Sequence, residues 1–359
     1  MTRPRQQGKV SMVIPCYNKE RFIAATFDTV LAQTWENVEL VLVNDGSTDA
    51  TRDIIAQYIP RFADRGYEVA LIDQENIGVC GAAKAGLERA SGDFVCMIDA
   101  DDELDPAYLS TMAQWLDDHV DCQLAICSGV NFKQGATGRE YWHYPSTDLP
   151  ADDNDIAPEH FLIGKSIRNT VWIYMARASY LRACGLPQSY VTDTRGSHEP
   201  GYVIPLLAQG GAKKYFPVAL YHFNGSGEGH SQFKDMAHAQ RFYDEYHRLC
   251  VCAVDALPDC VAGFARKAFL RRVSLLSRAT HLYRVAVLLK APALQLRAYS
   301  EKMLDAVNEV YGVLPAISTE RFWGHERQLM SAAEARVFGG GGEGAFPELC
   351  YTALSRLGG

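Results

Sequence analysis

The stretch VELVLVNDGSTDATRDIIAQYI (38–59) decides the fold class. Its first eight residues, rich in Val and Leu, read as a strand. Gly46 permits a tight turn, Ser47 or Thr48 is placed to cap a helix, and 47–59 continue as that helix. The same strand–turn–helix grammar lies on either side. Residues 9–15 (KVSMVIP) predict a strand, and 19–34 a helix with Phe22, Ala25, Thr29 and Ala32 on one face. A third strand is expected at 68–74 with a helix at 78–90, a fourth strand at 93–99 with a helix starting near Pro106, and a further strand at 122–130. Apolar strands alternating with helices argue an α/β chain with a parallel sheet covered on both faces. In such sheets ligands bind beyond the carboxyl ends of the strands.

Composition excludes several classes of function. A chain of 359 residues with a formal net charge of -8 lacks the basic face that general nucleic-acid binding requires. No signal peptide is read at the N-terminus, and no uninterrupted apolar run reaches the roughly 18 residues expected of a spanning helix. The ten cysteines are scattered, without paired zinc-ligand spacing, and read as buried reduced thiols of a cytoplasmic protein. Residues 131–235 are less regular, and from 236 onward the pattern turns helical. The Gly run at 339–342 has no Lys-Ser/Thr after it and reads as a linker.

Three acid-bearing or polar clusters fall at predicted strand ends. Asp99, Asp101, Asp102 and Glu103 follow the fourth strand. A helix N-terminus accounts for one or two acids, but closely packed carboxylates repel one another. A divalent cation would relieve that repulsion, and hard oxygen ligands suit Mg²⁺ or Mn²⁺. Asp45 ends the second strand, where capping does not require it; a carboxylate there can accept a hydrogen bond from the imide N–H of a uracil. Pro15, Tyr17 and Asn18 leave the first strand.

Together, VSMVIPCYNKERFIAATFDTVLAQTWENVELVLVNDGSTDAT (10–51) and NIGVCGAAKAGLERASGDFVCMIDADDELDP (76–106) resemble the family 2 glycosyltransferases, inverting enzymes with the GT-A fold. The likeness is strong over 10–106 and weak over 107–231. It implies a Rossmann-like, mixed but mostly parallel sheet flanked by helices, with a helical C-terminal extension. Residues 1–235 would form the catalytic domain, with a nucleotide-binding half (1–130) and an acceptor-binding half (131–235), and 236–359 the helical region.

By the same resemblance, Pro15, Tyr17 and Asn18 line the nucleoside pocket and Asp45 binds the base. Asp99 meets the ribose or a metal-bound water, and Asp101 ligates a Mn²⁺ or Mg²⁺ that bridges the diphosphate of a nucleoside-diphosphate sugar, with UDP favoured. The family's Glu-Asp pair before a helix becomes His198-Glu199, which makes Glu199 the general base. Where the family shows Ala-Arg-Asn this chain has Ala82, Ala83 and Lys84, so Lys84 would supply the cation; Pro205 also stands where an arginine is common. His222 and His230 flank NGSGEG (224–229), a segment suited to closing over the diphosphate, and either histidine could complete the metal site.

The Gln-x-x-Arg-Trp sequence of processive synthases is absent, so transfer of a single hexosyl unit to a saccharide or lipid-linked saccharide of the cell surface is expected. Residues 261–300 carry many Lys and Arg and no acid. Two readings stay open for them: peripheral contact with the inner face of an anionic membrane, or packing of the basic face on acids such as Asp102 and Glu103. Two rivals also stand. A sugar nucleotidyltransferase would need a glycine-rich, basic loop that PCYNKE (15–20) lacks, and a catalytically inactive nucleotide-binding scaffold is permitted by the loss of arginine at Ala83.

Overall fold

The computed structural model describes residues 7–135, 138–143, 156–163, 170–188, 190–192, 197–225 and 233–311. Strands β1 (Val10–Cys16), β2 (Val38–Asp45), β3 (Glu68–Gln74) and β4 (Phe94–Met97) form a parallel sheet in the order β3-β2-β1-β4. Helices α1 (Ile23–Leu31), α2 (Thr51–Asp64) and α3 (Val79–Arg89) connect them. Every residue of β2 is buried, as a central strand covered on both faces requires.

The sheet continues through β8 (Tyr174–Arg177), antiparallel to β4, then β6 (Cys122–Gly135) and β9 (Ala212–Asn224), which pair in parallel. The two-residue β5 (Glu103–Leu104) closes that edge antiparallel to β9, and β7 (Gly138–His143) pairs with β6. Six strands therefore run one way and β5, β7 and β8 the other. Helices α4 (Tyr108–Asp118), α5 (Pro158–Ile163), α6 (Ala178–Ala183) and α7 (Glu199–Ala208) flank this half. The strand order reverses between β1 and β4, so the crevice of a doubly wound sheet opens beyond their carboxyl ends.

Two local expectations are corrected. Helix α1 is shorter than 19–34 and turns a different face inward: Ile23, Thr26, Phe27 and Val30 are buried, while Ala25 and Ala32 are exposed. The branched and aromatic residues bury more apolar area than alanines can, and that sets the rotation. Helix α2 starts at Thr51, not at a Ser47 or Thr48 cap, and runs through Pro60 to Asp64. The Asp49 carboxylate takes the Thr51 N–H at 2.9 Å, which leaves Ser47 and Thr48 for another task.

From Met236 the described chain is helical: α8 (Met236–Asp255), α9 (Phe264–Leu288) and α10 (Ala293–Tyr311). Helix α9 buries Phe269, Leu270, Val273, Leu276 and Tyr283, and packs against α8, α10 and α5. Three of its basic residues meet acids of α8 and of the connection after it. Arg271 Nε donates to Asp255 and Arg278 Nε to Asp244, each at 2.6 Å, and Lys267 Nζ meets Asp259 at 3.0 Å. Among the described residues no helix is long and apolar enough to cross a membrane. Of the nine described cysteines, all free, seven are buried. The Gly run at 339–342 lies outside the described residues.

Candidate functional site

The loops after β1 and β2 are sewn together. Asn18 sits at φ 51, a left-handed conformation that asparagine tolerates better than most residues. Its Oδ1 accepts the Thr48 N–H at 2.8 Å, its amide donates to Thr48 Oγ1 at 3.3 Å, and its N–H donates to Ser47 Oγ at 3.2 Å. The stitching continues as the Lys19 N–H donates to Thr51 Oγ1 at 2.7 Å and the Glu20 N–H to Asp49 at 3.1 Å, while the Glu20 carboxylate takes the Ala50 N–H at 2.9 Å. Burial alone would raise the Asp49 carboxyl, but hydrogen bonds from Thr51 and Glu20 outweigh it and hold the group below the usual carboxylate range. Pro15 pairs in register with Val43, and Tyr17 beyond it is 46% exposed.

Asp45 is buried. Its carboxylate accepts Gln74 Nε2 at 2.7 Å, the Ile77 N–H at 3.0 Å and the Gly78 N–H at 2.9 Å. The group that the sequence left without structural work thus fixes the loop that starts α3. Gly46, at φ 67, lets that loop approach: a Cβ there would stand 2.7 Å from the Asn76 nitrogen. In α3, Ala82 and Ala83 are fully buried, whereas Lys84 is partly exposed and has no ion pair among the described residues.

The four acids after β4 divide into two pairs. Asp102 and Glu103 are buried and hold the β4–β5 loop on β9. Tyr221 donates its hydroxyl to Asp102 at 2.7 Å, the Asn224 N–H donates to Asp102 at 2.7 Å, and Glu103 stands opposite His222 in the β5–β9 ladder. Burial pushes the Asp102 carboxyl well above its ordinary value, Asp99 and Asp101 add to the rise, and the Asn224 and Tyr221 hydrogen bonds oppose it. Trp172 stacks on Tyr221 with ring centroids 4.0 Å apart and so fixes the phenol. Asp99 and Asp101 remain partly exposed. Asp101 is in contact with the Lys19 ammonium from the β1 loop.

Helix α7 brings the second component. Glu199 is its first residue and His198 its N-cap; the Tyr190 hydroxyl holds the His198 carbonyl at 2.9 Å. His198 Nδ1 and Glu199 Oε2 are buried without hydrogen-bond partners among the described residues. Both groups are close enough to Asp99 to act on it. Burial pushes the Asp99 carboxyl up to about 6; His198 works against that rise, and Asp101 and Glu199 reinforce it. The charge of Asp99 is thus felt both by Asp101 in its own turn and by Glu199 at the start of α7.

Among the described residues no group of three or more His, Cys, Asp or Glu side chains converges as a metal cage, so His222 does not form one with Asp99 and Asp101. His230 lies outside the described residues, as does most of the glycine-rich segment beside it. Two crowded carboxylates, Asp99 and Asp101, do fit a hard divalent cation that takes its remaining ligands from water and a phosphorylated substrate. Sequence reasoning missed Lys19, Tyr221 and Asn224. An acid-rich turn calls for a nearby cation, which was a signal for Lys19; Tyr221 and Asn224 stand over a hundred residues from the acids and offer no local pattern.

Residues 11–172 match the family model Glycosyl transferase family 2. The putative glycosyltransferase EpsH of Bacillus subtilis is 32% identical over 178 residues, 48% of this chain and 48% of its own. The chain spans less than half the length of the first curated relatives it matches, 18% of one and 48% of the other. The structure of S. aureus TarS in complex with UDP-GlcNAc superposes with a TM-score of 0.58 at 18% identity, covering 92% of each chain. The mannosyltransferase PcManGT from Pyrobaculum calidifontis, solved with GDP-Man and Mn2+, superposes with a TM-score of 0.50 at 17% identity, covering 94% of this chain and 88% of that one. These likenesses identify the sheet as a GT-A fold.

Proposed function

We propose that this chain, whose residues 11–172 match the family model Glycosyl transferase family 2, moves one sugar from a nucleoside-diphosphate sugar, UDP-linked by preference, to a hydroxyl of a saccharide or lipid-linked saccharide, with inversion. The observation that carries the assignment is that Glu199 lies near enough to Asp99 to act on its charge, while its own Oε2 is buried without a hydrogen-bond partner among the described residues. A carboxylate held that way is free to accept a proton. Glu199 would take the proton of the acceptor hydroxyl as that oxygen attacks the anomeric carbon, and the bond from that carbon to the diphosphate oxygen breaks in the same displacement.

Asp99 and Asp101 would hold a Mn²⁺ or Mg²⁺, which when bound offsets the charge of the departing diphosphate. Pro15, Tyr17 and Asn18 would line the nucleoside pocket, with Asp45 at its floor facing the base. Lys84, next to the position of the family's arginine, would supply a cation to the diphosphate. The UDP preference draws support from the UDP-GlcNAc complex of TarS, and the GDP-Man complex of PcManGT makes GDP the competitor to exclude.

We place the peripheral membrane contact at the α9–α10 turn. Leu288 and Leu294 are 71% and 83% exposed there, Lys290 stands exposed beside them, and residues 261–300 hold no acid. Apolar side chains set among cations suit an anionic lipid surface.

Calorimetric titration of UDP, GDP and dTDP, with and without Mn²⁺, into wild type and Asp101→Ala tests the donor site. Metal-dependent binding of UDP that the substitution abolishes is the expected result. Failure of all three nucleotides under every metal condition would overturn the assignment.

A further inference from the structure

We propose that Lys19 is a built-in counter-cation of the acidic turn, and that it competes with a divalent metal for Asp101. The inference rests on the assignment of Asp101 as a metal ligand. Lys19 lies in the loop that leaves β1, and its ammonium is in contact with Asp101 Oδ2. The two side chains are only 33% and 29% exposed, so the contact is screened less than a surface pair would be.

The backbone holds this placement. The Lys19 N–H is tied to Thr51 Oγ1 at 2.7 Å, and Asn18 before it is locked to Thr48, so the side chain leaves a fixed point. Asp101 is joined by Asp99 and Asp102 in drawing the ammonium to the cluster. An ammonium and a divalent cation repel each other and cannot share one carboxylate oxygen, so Lys19 has to withdraw before a metal sits on Oδ2. Its four-carbon stem allows that withdrawal without moving the loop. In the absence of metal, Lys19 stabilises a turn that would otherwise crowd three aspartates.

Titration of Mn²⁺ followed by its free-ion paramagnetic resonance signal, in wild type, Lys19→Met, Lys19→Arg and Asp101→Asn, tests this directly. Lys19→Met is expected to bind Mn²⁺ about tenfold more tightly than wild type, the scale of one partly screened charge contact. Lys19→Arg, which keeps the charge, is expected to stay near wild type, and Asp101→Asn to lose the site. A purely structural lysine would instead lower the melting temperature of Lys19→Met with no gain in metal affinity. Wild-type binding that depends on Asp101 but is unchanged or weakened in Lys19→Met overturns the competition alone. Binding that is absent, or the same in wild type and Asp101→Asn, overturns the metal assignment and the competition with it.

Discussion

Asn18 and Thr48 face each other across the β1 and β2 loops, the side chain of one taking the backbone N–H of the other at 2.8 Å. That pair makes the two polar motifs a single object. Asn18→Ala removes its side-chain bonds and leaves a Cβ-bearing residue at φ 51 without them. A loss of about 1–3 kcal/mol in urea unfolding is expected, with weaker UDP binding. Asn18→Gly keeps the conformation and loses only the bonds, so it is expected to be the milder variant. Equal stability for both would mean that the left-handed backbone carries no cost.

Glu199→Gln preserves shape and removes the acceptor of the proton. Turnover is expected to fall about 10²–10⁴-fold, as for loss of a general base, while the affinity for UDP with Mn²⁺ is retained. Steady-state transfer assays beside nucleotide calorimetry separate the two. A variant that turns over at the wild-type rate would remove Glu199 from the chemistry.

The parallel half of the sheet was legible because its strands and helices announce themselves within short windows: 38–45 and 68–74 agree with β2 and β3 to the residue. The polar motifs proposed for the donor site could be located for the same reason, since each sits in the turn that ends a strand. What escaped was the work done between segments. Asp45 looked spare because its partners, Ile77 and Gly78, lie beyond the third strand. Ser47 and Thr48 looked like caps because their true partner, Asn18, lies one strand earlier. The cluster gave Asp102 no work of its own, because its partners Tyr221 and Asn224 come from β9, over a hundred residues away. The basic run of α9 met its acids in α8, a helix whose Asp244 and Asp255 carry no motif.

Tyr221→Phe tests the division of labour among the four acids. It leaves the buried Asp102 carboxylate with the Asn224 N–H but without its phenol, at a cost of about 1–3 kcal/mol for an unsatisfied buried group. Chemical denaturation reads that loss. Mn²⁺ affinity is expected to change little, because the pair assigned to the metal is Asp99 and Asp101. A large fall in metal affinity with unchanged stability would assign Asp102 to the metal instead.

At the α9–α10 turn, Leu288→Asp combined with Leu294→Asp replaces two exposed apolar side chains by charges that anionic lipid repels. Wild type is expected to sediment with vesicles containing phosphatidylglycerol and to stay in solution with phosphatidylcholine alone, and the double variant to stay in solution with both. Wild type failing to sediment with either would remove the membrane contact. Both positions are solvent-exposed, so stability is expected to change by less than about 0.5 kcal/mol.

Glu39 makes acid sensitivity a property of the sheet itself. It is a buried carboxylate in the central strand β2, where burial would raise its pKa. The Ser11 hydroxyl and the N–H and hydroxyl of Ser91 outweigh that penalty and hold it below its ordinary value, with Arg89 Nη1 adding a contact at 3.2 Å. A carboxyl depressed on folding binds fewer protons in the native than in the unfolded chain at mildly acid pH. Its contribution is therefore complete above the unfolded pKa of about 4.3 and is lost as pH falls through the native value. Urea midpoints taken from about pH 6 down to pH 3 are expected to fall more steeply for wild type than for Glu39→Gln, which lacks this group's titration. Parallel pH profiles would show that Glu39 has the same pKa folded and unfolded, and that the serine cluster compensates burial without a surplus.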